Sequence, residues 1–267
     1  MKKNKRKNNF IFIILFRIIS IIIILICLYR IYEWHLENKA NHTIIDNILT
    51  QISFPDENLE ISNGTNSNNI ISNESITEFS KETLDFSNLI NQNPDTVAWI
   101  KINGTEVNFP VVKTNNNDYY IKHNFNKEYN SAGWIFADYR NKFDSTDKNI
   151  IIYGHNRRDG SMFSSLNNVL SENWYTHENN QIITLYTPSE TLKYQVFSVY
   201  KTHQSNFNND TDFENDQIFE NYLNLSKNNS IYDFNVNITP SDKILTIYTC
   251  ANNNQYRIIV HAKQIEN

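Results

Sequence analysis

The sequence predicts a mainly β protein: an eight-stranded, closed or nearly closed barrel with helices before it and one helix inserted, preceded by a single transmembrane helix. Three observations carry this. Eight short runs rich in β-branched and aromatic residues lie between Val97 and Ala262, with Asn, Asp, Gly and Pro clusters between many of them. One amphipathic segment interrupts these runs. Near the N-terminus stands one apolar stretch of about 20 residues, the length a helix needs to cross a bilayer. The mean hydropathy of −0.54 excludes a polytopic membrane protein and leaves room for one span.

The apolar stretch is Phe10 to Tyr29, FIFIILFRIISIIIILICLY. Its one charge, Arg17, lies about two turns in and can snorkel toward the basic end. The exit, Leu28-Tyr29-Arg30-Ile31-Tyr32, has no small-residue cleavage site, so the segment reads as an uncleaved signal anchor. Lys2, Lys3, Lys5, Arg6 and Lys7 make residues 1–9 a basic tail that the positive-inside rule holds in the cytoplasm, with the body outside the cell membrane. Residues 30–76 read as a juxtamembrane helix, Ile31 to about Ile52, followed by a polar tether without periodicity over 54–76. The remainder, 77–267, is the expected extracellular domain.

That domain opens with a helix over 77–92 and a turn at Asn93-Pro94-Asp95. The strands follow at Val97–Ile102, Val107–Val112, Ala132–Ala137, Asn149–Tyr153, Gln181–Tyr186, Leu192–Tyr200, Lys243–Thr249 and Tyr256–Ala262. The inserted helix is Asp216–Leu225, apolar at positions 218, 219, 222, 223 and 225. No internal repeat is visible.

Composition narrows the chemistry. The 267 residues carry 24 Lys+Arg against 29 Asp+Glu. Seven of the basic residues lie within the first thirty, so the chain after Arg30 holds 17 basic against 29 acidic residues, a charge of about −12. Such an acidic domain lacks the basic footprint of a nucleic-acid binder. Five glycines supply no phosphate-binding loop, and two cysteines supply neither a disulfide framework nor a four-cysteine zinc site. The Asn-x-Ser/Thr matches at Asn63, Asn103 and Asn237 sit in an Asn-rich composition and carry no weight. No metal site or cofactor is expected.

With Cys27 inside the span, Cys250 is the one exported cysteine. A solitary thiol in a disulfide-favouring compartment is either a reactive group or a small buried hydrophobe. Cys250 ends the strand Ile244-Leu245-Thr246-Ile247-Tyr248-Thr249, and Arg257 opens the next run after a six-residue connection. If the two strands pair as a hairpin with Cys250 opposite Arg257, a guanidinium stands beside the thiol, able to lower its pKa or to stabilise an oxyanion. A slip of one residue would send Arg257 to the other face. A thiol nucleophile also needs a proton shuttle. Of seven histidines, His155 ends the strand Asn149–Tyr153 after Gly154, where the backbone can turn and expose a side chain. His35 and His42 are near the membrane, His123 and His177 in polar loops, and His203 and His261 at or near strand ends.

Together these residues resemble a known family. IIIYGHNRRDGSMF, followed about 95 residues after its histidine by KILTIYTC and then by an arginine, resembles the sortases of class B. NPDTVAWIKINGTEVNFPVV, NDYYIKHNF and AGWIFADYRN extend the similarity, which runs from about Phe86 to Lys263, and the helix around 213–230 matches an insertion of that class. The resemblance implies a membrane-anchored cysteine transpeptidase on a sortase-type barrel. Cys250 would attack the Thr carbonyl of a C-terminal sorting motif and form a thioacyl intermediate, His155 would act as general acid and base, and Arg257 would hold substrate and oxyanion. Thr249, Tyr248 and Asn156 are substrate-binding candidates, and Ser161 and Met162 are packing residues. The implied partners are surface proteins with a sorting signal and a peptidoglycan-precursor amine; no cofactor is implied. The chain departs from the pattern in two ways. The connection between Cys250 and Arg257 is short and offers only Asn252, Asn253 and Asn254, and Tyr248 stands where the family often has a smaller residue.

Two rivals are weighed against this. A papain-like or cell-wall cysteine peptidase would place its nucleophile at a helix N-terminus, but a strand pattern follows Cys250. A non-catalytic surface barrel would leave Cys250 inert.

Overall fold

The computed structural model describes residues 2–54, 84–144, 146–251 and 255–265. Helix α1 runs unbroken over Lys2–Leu49. No Pro or Gly interrupts it, so the expected span and the expected juxtamembrane helix form one rod. Its window of highest hydropathy is long and apolar enough to cross a membrane, and none of that window is buried in the protein. The last three turns dock on the barrel: Asn38, Asn41 and Ile48 are buried. Asn41 and Asn130 exchange side-chain hydrogen bonds, Asn130 Nδ2 donates to the Glu37 carbonyl at 2.9 Å, and Ser131 donates to the Glu37 carboxylate. Phe54, just beyond the helix, packs edge-on to Trp99 at 5.5 Å. The expected tether over 54–76 lies, after Phe54, outside the described residues. The expected helix over 77–92 is helical only at α2, Ser87–Gln92, with 77–83 outside the described residues.

Eight strands close the barrel: β1 (Thr96–Ile102), β2 (Asn108–Val112), β3 (Phe136–Ala137), β4 (Asn149–Gly154), β5 (Ile182–Tyr186), β6 (Thr191–His203), β7 (Ile244–Ala251) and β8 (Tyr256–Ile265). Their order around the barrel is β1-β2-β3-β4-β7-β8-β6-β5. β2–β3 and β4–β7 pair in parallel and all other neighbours antiparallel. The parallel pairing of β4 with β7 spans 95 residues of sequence and brings Gly154 beside Thr249. The run Ala132–Ala137 yields only two strand residues. Gly133, at φ +59°, turns the chain, and Asn130 and Ser131 receive α1. The run is apolar because every one of its residues is buried, not because it is a regular strand.

Trp99, Trp134, Trp174, Phe125 and Phe163 fill the main core with the aliphatic residues of the strands. A second, smaller core lies between helix α4 (Asp216–Asn229) and the strands β6, β8 and β7, and holds Phe197, Phe219, Tyr222, Leu223 and Ile244. α3 is a single turn, Glu172–Tyr175. Asn215 caps α4 by accepting from the Ile218 N–H, with Asp216 in the first turn and Lys227 in the last, both favourable to the helix dipole. His261 borders this second core. Thr246 Oγ1 gives its proton to Asn149 Oδ1, so it must accept from His261 Nδ1, and Nε2 faces the Tyr200 hydroxyl. Burial drives the His261 pKa down to about 3 and keeps the ring neutral.

Candidate active site

Three strand ends meet at one rim of the barrel. The register of β7 and β8 pairs Cys250 with Arg257 and Thr249 with Ile258. The register of β4 and β7 pairs Gly154 with Thr249, one step before His155 and Cys250 on their respective strands. The pairing assumed from sequence is therefore the one found, and His155 leaves the neighbouring strand at the same level.

Thr249 is fully buried, and its hydroxyl donates to the Gly154 carbonyl at 2.7 Å. It ties the two strand ends together immediately before the histidine and the cysteine. Gly154 is required by close approach: a Cβ there would lie 2.5 Å from Phe163 Cδ2 and 2.6 Å from Ile135 Cδ1. The chain then loops through 155–163 and returns. Phe163 N–H donates to the His155 carbonyl at 2.9 Å, and Asn156 bridges Met162. Asp159 closes the loop by accepting from the Ser161 amide and hydroxyl and by pairing with Arg157 at 2.8 Å. Arg157 also donates to Asn38 of α1 at 2.7 Å. Ser161 and Met162 are buried, and Asn156 accepts from the Asn167 amide at 3.1 Å.

The His155 ring is half-buried, with Nε2 3.0 Å from the Ile121 carbonyl. A carbonyl only accepts, so Nε2 carries the proton and Nδ1 of the neutral ring has a free lone pair. Burial lowers the His155 pKa below its ordinary value, and the charges of Arg157 and Arg257 lower it further, against the opposing pull of the Ile121 carbonyl.

Arg257 Nε donates to the Tyr248 hydroxyl at 2.8 Å, Nη2 to Gln204 Oε1 at 2.8 Å and Nη1 to the Tyr256 carbonyl at 3.1 Å. Its guanidinium carbon lies 5.5 Å from the Tyr248 ring centroid. Gln204 and the Ile121 carbonyl escaped the sequence reading. A single glutamine in a polar stretch carries no signal, and a backbone acceptor carries none at all. Hollows of about 570 Å³ at Leu84, Phe86 and Pro188, and of about 300 Å³ between α1, Phe109 and Met162, include none of Cys250, His155 and Arg257 in their walls. Among the described residues no group of three His, Cys, Asp or Glu side chains is placed to hold a metal ion.

Comparison with known proteins gives a consistent result. A family model described as a sortase domain matches residues 100–265. Sortase B of Staphylococcus aureus is 37% identical over 184 residues, covering 68% of this chain and 75% of that protein. Sortase B of Listeria monocytogenes is 35% identical over 176 residues, covering 65% of this chain and 71% of that protein. Among solved structures, Clostridium perfringens sortase B superposes with a TM-score of 0.63 at 37% identity, covering 68% of this chain and 100% of that one.

Proposed function

Given that the chain belongs to the sortase family, in its class B branch, we propose that it is a membrane-anchored cysteine transpeptidase that joins surface proteins to a peptidoglycan amine. The observation that carries the reading is the convergence of strand ends: Cys250 pairs with Arg257 across β7–β8, and His155 follows Gly154, which pairs with Thr249 across β4–β7.

The chemistry follows from the groups. His155 is neutral at physiological pH, with its proton on Nε2, so Nδ1 accepts the proton of the Cys250 thiol. The thiolate adds to the Thr carbonyl of a C-terminal sorting motif, and the Arg257 guanidinium stabilises the oxyanion. The carbon–nitrogen bond breaks, His155 returns its proton to the departing amine, and a thioacyl-enzyme remains. An amine of a peptidoglycan precursor then adds to the thioester, His155 takes its proton, the carbon–sulfur bond breaks, and an amide forms. Residues 10–29 hold the enzyme in the membrane with residues 1–9 inside and the barrel outside, which places both substrates within reach.

The test is transfer between a panel of LPxTG-, NPxTN- and PPxTG-like peptides and a stem-peptide amine, with mass spectrometry of the enzyme. The expected result is an acyl adduct on Cys250 and a ligated product, with both lost in Cys250→Ala. Cleavage by Cys250→Ala would overturn the mechanism, and near-full transfer by His155→Ala would overturn the acid/base assignment.

A further inference from the structure

We infer that Tyr248 and Gln204 are positioning residues that aim the Arg257 guanidinium without neutralising it. The inference rests on the oxyanion role proposed above for Arg257.

A guanidinium is a planar fork of five N–H donors, and its direction is set by what those donors meet. Three of its bonds go to a phenol oxygen, an amide oxygen and a backbone carbonyl. A carboxylate at any of these positions would orient the fork equally well but cancel most of the charge that an oxyanion needs. Tyr248 and Gln204, as neutral acceptors, fix the geometry and take none of the charge.

The two side chains reach Arg257 from different elements, Tyr248 from β7 and Gln204 from the turn after β6, and each is itself held. The Tyr248 ring is packed by Phe207 at 4.4 Å between centroids and by the edge of Tyr153 at 5.4 Å. The Tyr153 hydroxyl donates to Asp138 Oδ2 at 2.7 Å, and Asp138 is buried and paired with Arg140 at 2.8 Å. A fixed point inside the protein thus supports the ring under the guanidinium. Gln204 follows the end of β6, and its N–H donates to the Gln255 carbonyl at 2.8 Å, at the foot of the β7–β8 connection. Arg257 is held on its Nε side from β7 and on its Nη2 side from the turn that follows β6.

The experiment is steady-state transfer by the full-length protein in detergent, with the sorting peptide varied at fixed amine. Tyr248→Phe keeps the ring and removes the acceptor. We expect kcat to fall about tenfold with little change in KM and an unaltered melting temperature, because misdirection of a transition-state contact acts on the chemical step. Gln204→Glu retains the reach but brings a carboxylate to the guanidinium, and it should slow kcat more than Gln204→Ala does. In an Arg257→Ala background Tyr248→Phe should cost nothing further, because the two act as one unit. Slow Arg257→Ala with unimpaired Tyr248→Phe overturns this inference alone, as does an equal loss from Tyr248→Phe with or without Arg257. Full transfer by Arg257→Ala overturns the role of Arg257 and this inference with it.

Discussion

Replacing Gly154 by Ala tests whether the barrel rim is built around one missing methyl group. Gly154 is not in the left-handed region, so alanine carries no backbone strain and the cost is steric. The new Cβ would stand 2.5 Å from Phe163 Cδ2, 2.6 Å from Ile135 Cδ1 and 2.8 Å from Phe163 Cγ. These are about 1 Å inside van der Waals separation. Phe163 and Ile135 are both fully buried, so neither ring nor methyl can swing into solvent. Overpacking of this kind costs about 1–3 kcal/mol. In urea that lowers the unfolding midpoint by about 1 M, with a slope of about 2 kcal/mol per M. Relief by displacing Phe163 pulls on the His155 carbonyl, which accepts from its amide, and relief by displacing β4 stretches the bond from Thr249 to the Gly154 carbonyl. Transfer activity should therefore fall together with stability, and Phe163→Leu in the same chain should restore part of both. An unchanged midpoint with unchanged transfer in Gly154→Ala would refute the reasoning.

Two further outcomes follow from the same region and from the second core. Thr249→Val keeps the shape but removes the donor to Gly154, and should cost about 1–2 kcal/mol in urea titration with a larger proportional loss of transfer, because the two strand ends that carry histidine and cysteine are uncoupled. His261 is neutral in the folded protein down to about pH 3, whereas the unfolded chain takes up its proton near pH 6.5. Its contribution is fully present above the unfolded value and is lost as pH falls, at about 1.4 kcal/mol per pH unit. His155, also lowered, contributes in the same direction as pH falls below its ordinary value. His261→Gln should flatten the stability profile between about pH 6 and 4; an unchanged slope there would show that His261 is not buried in its neutral form.

The barrel was legible because its strands are short and β-rich, and turn residues mark many of their ends. Ala132–Ile135 misled for a physical reason: burial makes a segment apolar whether or not it is extended. The polar residues in α1 were misleading in the other direction. Asn38 and Asn41 weaken a helix on propensity, yet they are the residues that dock it, to Arg157 and Asn130. At the rim, Cys250, His155 and Arg257 could be chosen by residue type, and the meeting of their strand ends depended on two registers, which the β7–β8 and β4–β7 pairings supply. What holds them could not be read. The Ile121 carbonyl, Gln204 and the Asp138–Tyr153–Tyr248 chain are long-range contacts of residues with ordinary neighbours in sequence.

The unbroken α1 has a mechanical consequence. From Tyr29, the end of the apolar run, to Glu37, the first residue bonded to the barrel, the helix rises about 12 Å. If residues 10–29 occupy the bilayer, no slack lies between that segment and the barrel, and the rim that carries Cys250, His155 and Arg257 stands at one altitude above the lipid. A substrate that is itself held in the same membrane must then present its scissile bond at that altitude. The spacing between its sorting motif and its own membrane segment becomes a ruler, and the search for it a problem of lateral diffusion rather than of reach.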